Sequence, residues 1–312
     1  MSRELKNWGM LLLLALVWGS SFILMKRGMI HKDTGDAIFN SNQVAALRML
    51  IASAFLLPLG LRHFAEFKKI KLVLNLGVVA FVGNFFPAFL FTYAETGISS
   101  GFAGMLNSCT PIFTLLLGTW FFRQKLIQLQ VIGVIVGTIG IIWLVNSVSV
   151  VDTSGSWLHV MAVVLATLFY AMSVNVIRYN LVGINPLKIT TMAFSLSFIP
   201  ALILFFTLDI PATIRTTPYL WEGLIPIIIL SLIGTAISVI IFNELIAKSS
   251  ALFASSVTYF IPIVAVLIGL WDGEQLSIIQ ILAMLVILSG VYVANVIGRR
   301  KRMKVESNKV ES

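Results

Sequence analysis

Few residues in this chain are equipped for chemistry, and most of them sit inside long apolar runs. Arg48, in the stretch ALRMLIASAFLLPL, lies about two helical turns into the second expected span. A guanidinium at that depth costs on the order of several kcal/mol unless it snorkels, is paired or is wetted. It is either a contact for a solute or gate, or a structural group that meets carbonyls or an acid. Glu95 and Glu244 are the acids closest to the apolar runs. Lys248 follows Glu244 by four residues, so the two can meet on one helix face. Either acid could take a proton and couple the chain to a gradient; either could equally form an interfacial ion pair. No acid lies at the centre of a run, which argues against a mid-depth carboxylate site for protons or sodium.

Prolines and polar side chains make the second set. Pro87, Pro111, Pro200, Pro226 and Pro262 interrupt apolar runs. Each removes a backbone donor and tends to kink a helix. The freed carbonyls then face a cavity or are taken up by a nearby Ser or Thr. Asn107, Ser108 and Thr110 precede Pro111, and Thr258 and Tyr259 precede Pro262. Trp18, Ser20 and Ser21 correspond, at a shift of 152, to Tyr170, Met172 and Ser173. Aromatics beside hydroxyls suit a path for a small organic solute, and they also suit ordinary helix packing. Asn84, Tyr93 and Asn175 are further polar residues within the runs. A buried Asn must meet a partner helix, water or a solute. Other chemistry finds no support. There is no phosphate-binding G-x-x-x-x-G-K-[ST] loop, and His31, His63 and His159 lack metal-ligand spacing. No nucleophile triad or paired carboxylates can be assigned, and no cofactor is expected.

The elements that must position these residues are membrane spans. The chain is 58% hydrophobic and 11% charged, where an average soluble domain has about 25% charged residues. The 23 residues from Leu72 to Ala94 carry no formal charge, and about 20 suffice to cross a bilayer. Ten spans are expected: Trp8–Met25, Val44–Leu61, Val73–Ala94, Ser99–Phe122 and Ile127–Asn146, then Trp157–Ile177, Lys188–Leu208, Gly223–Ala247, Ser250–Trp271 and Ile278–Ile297. The basic start and first apolar run mimic a secretion signal, but no convincing cleavage site follows, so the run is taken as an uncleaved span. The lone Cys109 allows no intramolecular disulfide. The net charge of +9 is explained by basic cytoplasmic loops and a basic tail, without invoking nucleic acid.

The stretch SSGFAGMLNSCTPIFTLLLGTW (Ser99–Trp120) returns as SALFASSVTYFIPIVAVLIGLW (Ser250–Trp271), with eight of 22 residues identical at a shift of 151. Ser99, Pro111, Gly118 and Trp120 fall on Ser250, Pro262, Gly269 and Trp271. The chain therefore reads as a duplication, with repeats over 1–148 and 152–298 and a basic tail over 299–312. With the N-terminus in the cytoplasm and alternating spans, 17 Lys and Arg residues fall inside, six of them in the tail, and four (Lys26, Arg27, Lys32, Arg215) outside. Both termini are thus expected inside. An odd number of spans per repeat inverts one copy relative to the other. Inverted repeats are common in secondary transporters, with the site near the midplane where the repeats meet.

Five further pieces sharpen the reading. ALVWGSSFILMKRG (Ala15–Gly28) has a Trp-Gly pair in the first span, and Ala46–Leu59 has an intramembrane Arg. The repeated stretch carries its prolines, Gly273-Glu274 follows the second copy, and GTIGIIWLV (Gly137–Val145) is Gly-rich. In this order the pieces resemble the ten-helix, EamA-type members of the drug/metabolite transporter superfamily. Two departures stand out. Arg123-Gln124 replaces the usual Gly-Glu after the fourth span, and Glu95 stands where an apolar residue is more common. The resemblance implies an all-α integral membrane protein of two inverted five-helix repeats, working as a secondary transporter in a bacterial inner membrane. It implies efflux of small organic solutes such as amino acids by alternating access, along a path lined by helices one, three, four, six, eight and nine. Trp18, Ser21, Asn84, Tyr93, Asn107, Tyr170, Asn175 and Tyr259 are the expected path residues. Arg48, Glu95 and Glu244 are gate or structural charges, and Pro87, Pro111 and Pro262 are kinks, the last two in equivalent places. The expected partners are a small-molecule substrate and lipid; a homodimer is left open. An integral-membrane enzyme would need clustered His or acidic residues, and a scaffold would not need polar kinked helices in both halves.

Overall fold

The computed structural model describes residues 3–147, 157–248 and 257–294. They form ten helical passes, named here α1 to α10. α1 comprises Arg3–Gly19 and Ser21–Met29, α2 is Ser41–Leu61, and α3 runs from Ile70 to Ala94. α4 comprises Ser100–Asn107 and Thr110–Phe122, and α5 is Gln128–Asn146. The second half repeats the plan with α6 (Trp157–Asn180), α7 (Pro186–Thr207), α8 from Leu220 to Lys248, α9 (Val257–Trp271) and α10 (Ile278–Tyr292). Eight of these are long and apolar enough to cross a membrane, and α9 and α10 are shorter apolar helices. The part of the ninth expected span before Val257 lies outside the described residues, as does the tail.

Local sequence explains the helix ends. The Asn40 side chain caps α2 by accepting from Gln43 N, and the Gln43 side chain returns the bond. Ser277 and Gln280 do the same for α10. Two short helices were not foreseen. Phe64–Lys68 is a 3-10 turn between α2 and α3, and Ile210–Thr216 follows α7.

The packing pairs obey one two-fold rule that exchanges α1 with α6, α2 with α7, and so on. α2 packs on α7, α4 on α9 and α5 on α10. α1 packs on α9 and α8, and its counterpart α6 packs on α4 and α3. The α5–α10 contact is backbone against backbone: a Cβ on Gly290 would lie 2.4 Å from Gly137 N, and one on Gly133 2.5 Å from Ala294 N. Small residues permit such approach within a bilayer. The other side of α5 leaves Ile135, Ile139 and Ile142 more than half exposed, as lipid-facing side chains must be.

We call the side where α1 begins the near face and the other side the far face. Trp120, at the end of α4, and Trp271, at the end of α9, are both exposed. They stand on opposite faces, which suits the interfacial preference of tryptophan.

Besides the break in α1 at Ser20 and the π turn that ends the described part of α10, three passes deviate from α geometry in their middles. α3 contains a π segment, Val78–Phe85, and its counterpart α8 contains another, Leu232–Ile237. π turns concentrate at functional sites. Pro87 starts the α-helical piece that follows the first of them. α4 is broken at Ser108 and Cys109. Pro111 offers no N–H to the Asn107 carbonyl, and the Thr110 hydroxyl takes that bond at 2.9 Å. Ser108 returns its hydroxyl to Met105 O. α9 differs in having no break, for it runs as one helix from Val257 with Pro262 in its interior. Its residue before the proline is Ile261, which has no hydroxyl to hold an open turn.

Candidate functional site

The two π segments are seams between the repeats. In α8, Gly234 O accepts the Trp18 indole N–H of α1 at 3.1 Å. A Cβ on Gly234 would stand 3.2 Å from the Ser21 hydroxyl. In α3, a Cβ on Gly83 would stand 2.1 Å from the hydroxyl of Ser173 on α6. Gly83 and Gly234 are equivalent at a shift of 151, and Ser21 and Ser173 at 152. The next residues are also equivalent. Asn84 donates to Val79 O at 2.8 Å and Thr235 to Leu230 O at 3.0 Å, each reaching five residues back to a carbonyl of the widened turn. Tyr170 stacks on Phe91 of α3, with ring centroids 5.7 Å apart.

Arg48 sits among α1, α2 and α8. Its Nε donates to Thr235 Oγ1 at 3.2 Å, and an Nη meets the Met25 sulfur at 3.6 Å. Tyr170 and Glu95 act on it electrostatically, but no ion pair within 4.0 Å joins it to Glu95. Val44 to Leu47 and Met49 around it are buried, whereas Arg48 itself keeps some exposure. Glu95, just beyond the end of α3, is 5% exposed, and apart from a weak approach of the Lys26 backbone N–H its oxygens have no hydrogen-bond partner among the described residues. Burial and the neighbouring Glu274 carboxylate push its pKa well above the usual carboxylate range, against the pull of Lys26 and Arg48.

The far face is closed by ion pairs across the repeats. Lys26 binds Glu274 at 2.8 Å, Arg27 binds Asp272, and His31 meets Glu222. Glu274 also accepts the N–H of Ser100 at 2.9 Å and of Gly101 at 2.8 Å. A carboxylate on the first two amides of α4 satisfies groups a helix start leaves open and complements its dipole. The near face carries a counterpart. The Tyr179 hydroxyl donates to Gln124 Oε1 at 2.9 Å, and Glu66 binds Lys188. The Arg123-Gln124 departure makes a turn related to that of Gly273-Glu274 but one residue longer, counted from the equivalent Gly118 and Gly269. Arg123 and Gly273 both have positive φ, 54° and 88°. Gln124 N bonds Gly118 O at 2.9 Å, and Glu274 N bonds Gly269 O at 2.8 Å.

Other expected residues lie elsewhere. Asn175 is fully buried in the α6–α4 contact and donates to Thr114 O and Ala171 O, so it serves packing. Tyr259 donates to Val291 O at 3.2 Å and its ring meets Tyr292; it leans on α10. Tyr93 is 39% exposed and stacks on His159, beside an apolar cleft of about 390 Å³ between α3 and α6. Asn107 stays at the break in α4. The Glu244 side chain falls outside the described residues. Sequence reasoning missed Lys26, Glu274, Tyr179 and Gln124 as a set. The available signal was the pair Lys26-Arg27 recurring as Arg178-Tyr179 at a shift of 152.

The EamA-like transporter family model matches residues 7–146 and again residues 157–296. The chain belongs to the EamA-like transporter family. Similar proteins agree. An uncharacterized inner membrane transporter of Escherichia coli, YedA, is 28% identical over 293 residues, covering 91% of this chain and 89% of that one. A probable amino-acid metabolite efflux pump of the same organism is 24% identical over 314 residues, covering 98% and 99%. A solved structure described as a crystal structure of protein superposes with a TM-score of 0.55 at 16% identity, covering 95% of this chain and 98% of the other, and shares the fold. As an EamA-like transporter the chain is a multi-pass membrane protein of two inverted five-helix repeats that handles small solutes.

Proposed function

We propose that this transporter exports amino acids or closely related small metabolites across a bacterial inner membrane by alternating access. The observation that carries the reading is a closure across the repeats at each face, Lys26–Glu274 at the far face, and Tyr179–Gln124 with Glu66–Lys188 at the near face. A carrier needs one closure at each end of its path, and inversion of a repeat supplies the second from the first. Similarity to an amino-acid metabolite efflux pump supports the cargo class and the direction. The 17 basic residues on the near side against four on the far side support a cytoplasmic near face, with both termini inside. In this reading 1–148 and 152–298 are the repeats, 299–312 is a cytoplasmic tail, and the chain performs no covalent chemistry. Trp18, Ser21, Asn84, Asn107 and Tyr170 remain on the path, while Asn175, Tyr93 and Tyr259 are assigned to packing.

Proteoliposomes loaded with a mixture of the twenty amino acids test it. Counterflow of one labelled member is the expected result; no counterflow, with normal movement of an unrelated solute, rejects the cargo. Fusing a reporter active only outside the cytoplasm to the C-terminus tests orientation, and a strong signal would overturn it.

A further inference from the structure

Two ionisable side chains near the far face, Arg48 and Glu95, interact electrostatically, yet neither is in an ion pair among the described residues. α2 begins on the far face, and helical side chains tilt toward their helix N-terminus. Arg48 therefore reaches up toward that face. Glu95 stands at the end of α3, where the same tilt directs it down into the bundle. The guanidinium has five N–H donors and is engaged by one hydroxyl and one sulfur. The Glu95 carboxylate is 5% exposed and, apart from a weak approach of the Lys26 backbone N–H, has no hydrogen-bond partner among the described residues. The neighbouring charges are already committed, since Glu274 is held by Lys26 and by two amides of α4.

We infer that Arg48 and Glu95 form a binding site for the zwitterionic head of a free α-amino acid. Arg48 takes the carboxylate in two parallel bonds, and Glu95 takes the ammonium group. A cation alone would leave Arg48 unmatched, and an anion alone would leave Glu95 unmatched; a buried charge without a partner is costly. The Tyr170 hydroxyl stands near Arg48, and the stacked rings of Tyr170 and Phe91, with Phe22 edge-on to Phe91, form an apolar wall beside the site. The head group is fixed by charge, and the wall suits an apolar or aromatic side chain. Both charges come from the first repeat, while Thr235 and Tyr170 come from the second, so the site spans the seam. The inference rests on the amino-acid reading given above and names the residues that would carry it.

The test uses the full-length protein in lipid nanodiscs and its melting temperature as the readout of binding. Three probe mixtures are compared: the twenty free L-amino acids, their methyl esters, which keep only the cation, and their N-acetyl derivatives, which keep only the anion. The wild type should respond to the free amino acids at concentrations at least tenfold below those needed for either derivative. Glu95→Gln should raise the half-saturating concentration of free amino acids at least tenfold and leave that of the N-acetyl forms unchanged. Arg48→Gln should do the same for free amino acids and leave the esters unchanged. A structural role for either residue would weaken all three mixtures together. Free amino acids preferred by the wild type and still preferred by both variants would overturn the site while leaving amino-acid export standing. A wild type that answers to none of the mixtures would overturn export and site together. Should a variant not fold, the wild-type comparison decides alone: esters or N-acetyl forms binding as tightly as free amino acids overturn the site.

Discussion

Each face is closed by contacts between the repeats, yet the chemistry of the two closures differs. At the far face a carboxylate meets an ammonium and two amides; at the near face a neutral amide oxygen meets a phenol. Charge-assisted hydrogen bonds are roughly twice as strong as neutral ones. A positive φ ends both helices, at Arg123 and Gly273, but the first turn is one residue longer and the side chains diverged. Among the described residues the near face has one ion pair across the repeats, Glu66–Lys188, against Lys26–Glu274 and Arg27–Asp272 at the far face, so in the proposed export cycle the far closure is the harder and an empty carrier is biased toward opening on the near side. That is the bias an exporter with a cytoplasmic near face requires.

The largest effect should come from removing the far charge. Glu274→Gln leaves Lys26 without its anion and weakens the hold on α4. Breaking a buried pair costs about 3 kcal/mol at the lower end of the usual range, and Lys26, at 30% exposure, belongs at that end. Denaturation in detergent should show the loss; an unchanged midpoint would mean that the far latch does not hold the closed form. Next comes the reverse exchange. Gln124→Glu gives Tyr179 a charged acceptor and should strengthen the near latch by about 1 kcal/mol, slowing export about fivefold at unchanged expression. An export rate equal to wild type would remove the near latch from the account. A smaller loss, about 1 kcal/mol, is expected for Thr110→Val, which deprives the Asn107 carbonyl of its substitute donor. Full stability in that variant would mean that Pro111 alone maintains the break in α4.

The smallest effect is a pH dependence. Glu95 has a raised pKa in the closed form, so closure binds a proton that the opened, hydrated carboxyl releases. Closure is then favoured below the ordinary carboxylate range, and that advantage is lost as pH rises through the raised value. The groups facing Glu95 are Lys26 from α1, Arg48 from α2 and Glu274 from the turn after α9. Thiol labelling at the far face should rise with pH in the wild type and stay flat in Glu95→Gln. A wild-type profile as flat as the variant's would rule the effect out.

Much of the frame was legible in sequence because burial in lipid demands long uncharged runs. The spans, the duplication and its inversion follow from hydropathy, an odd span count and the basic residues. Helix ends such as Asn40 with Gln43 also carry local signals. The site was harder to read, since its contacts join residues far apart in the chain. Nothing local distinguishes Tyr259, which leans on α10, from Tyr170, which stands at the seam. The π segments leave only a faint trace: a Gly followed by a polar residue at Gly83-Asn84 and again at Gly234-Thr235. Glu95 was visible as a misplaced acid, but its lack of a partner is a property of packing. The break before Pro111 has no match at Pro262, where the preceding residue is Ile261 and not Thr110.

The central claim is that the latches close opposite ends of one path and open in alternation. It is tested most directly by electron spin distance measurements on a Cys109→Ser background. One spin-label pair spans the far latch (Asp33→Cys with Gln275→Cys) and another spans the near latch (Lys125→Cys with Val182→Cys). Glu274→Gln should lengthen the far distance and shorten the near one, and Gln124→Ala should do the reverse. Both distances moving in the same sense, or neither moving, would contradict it.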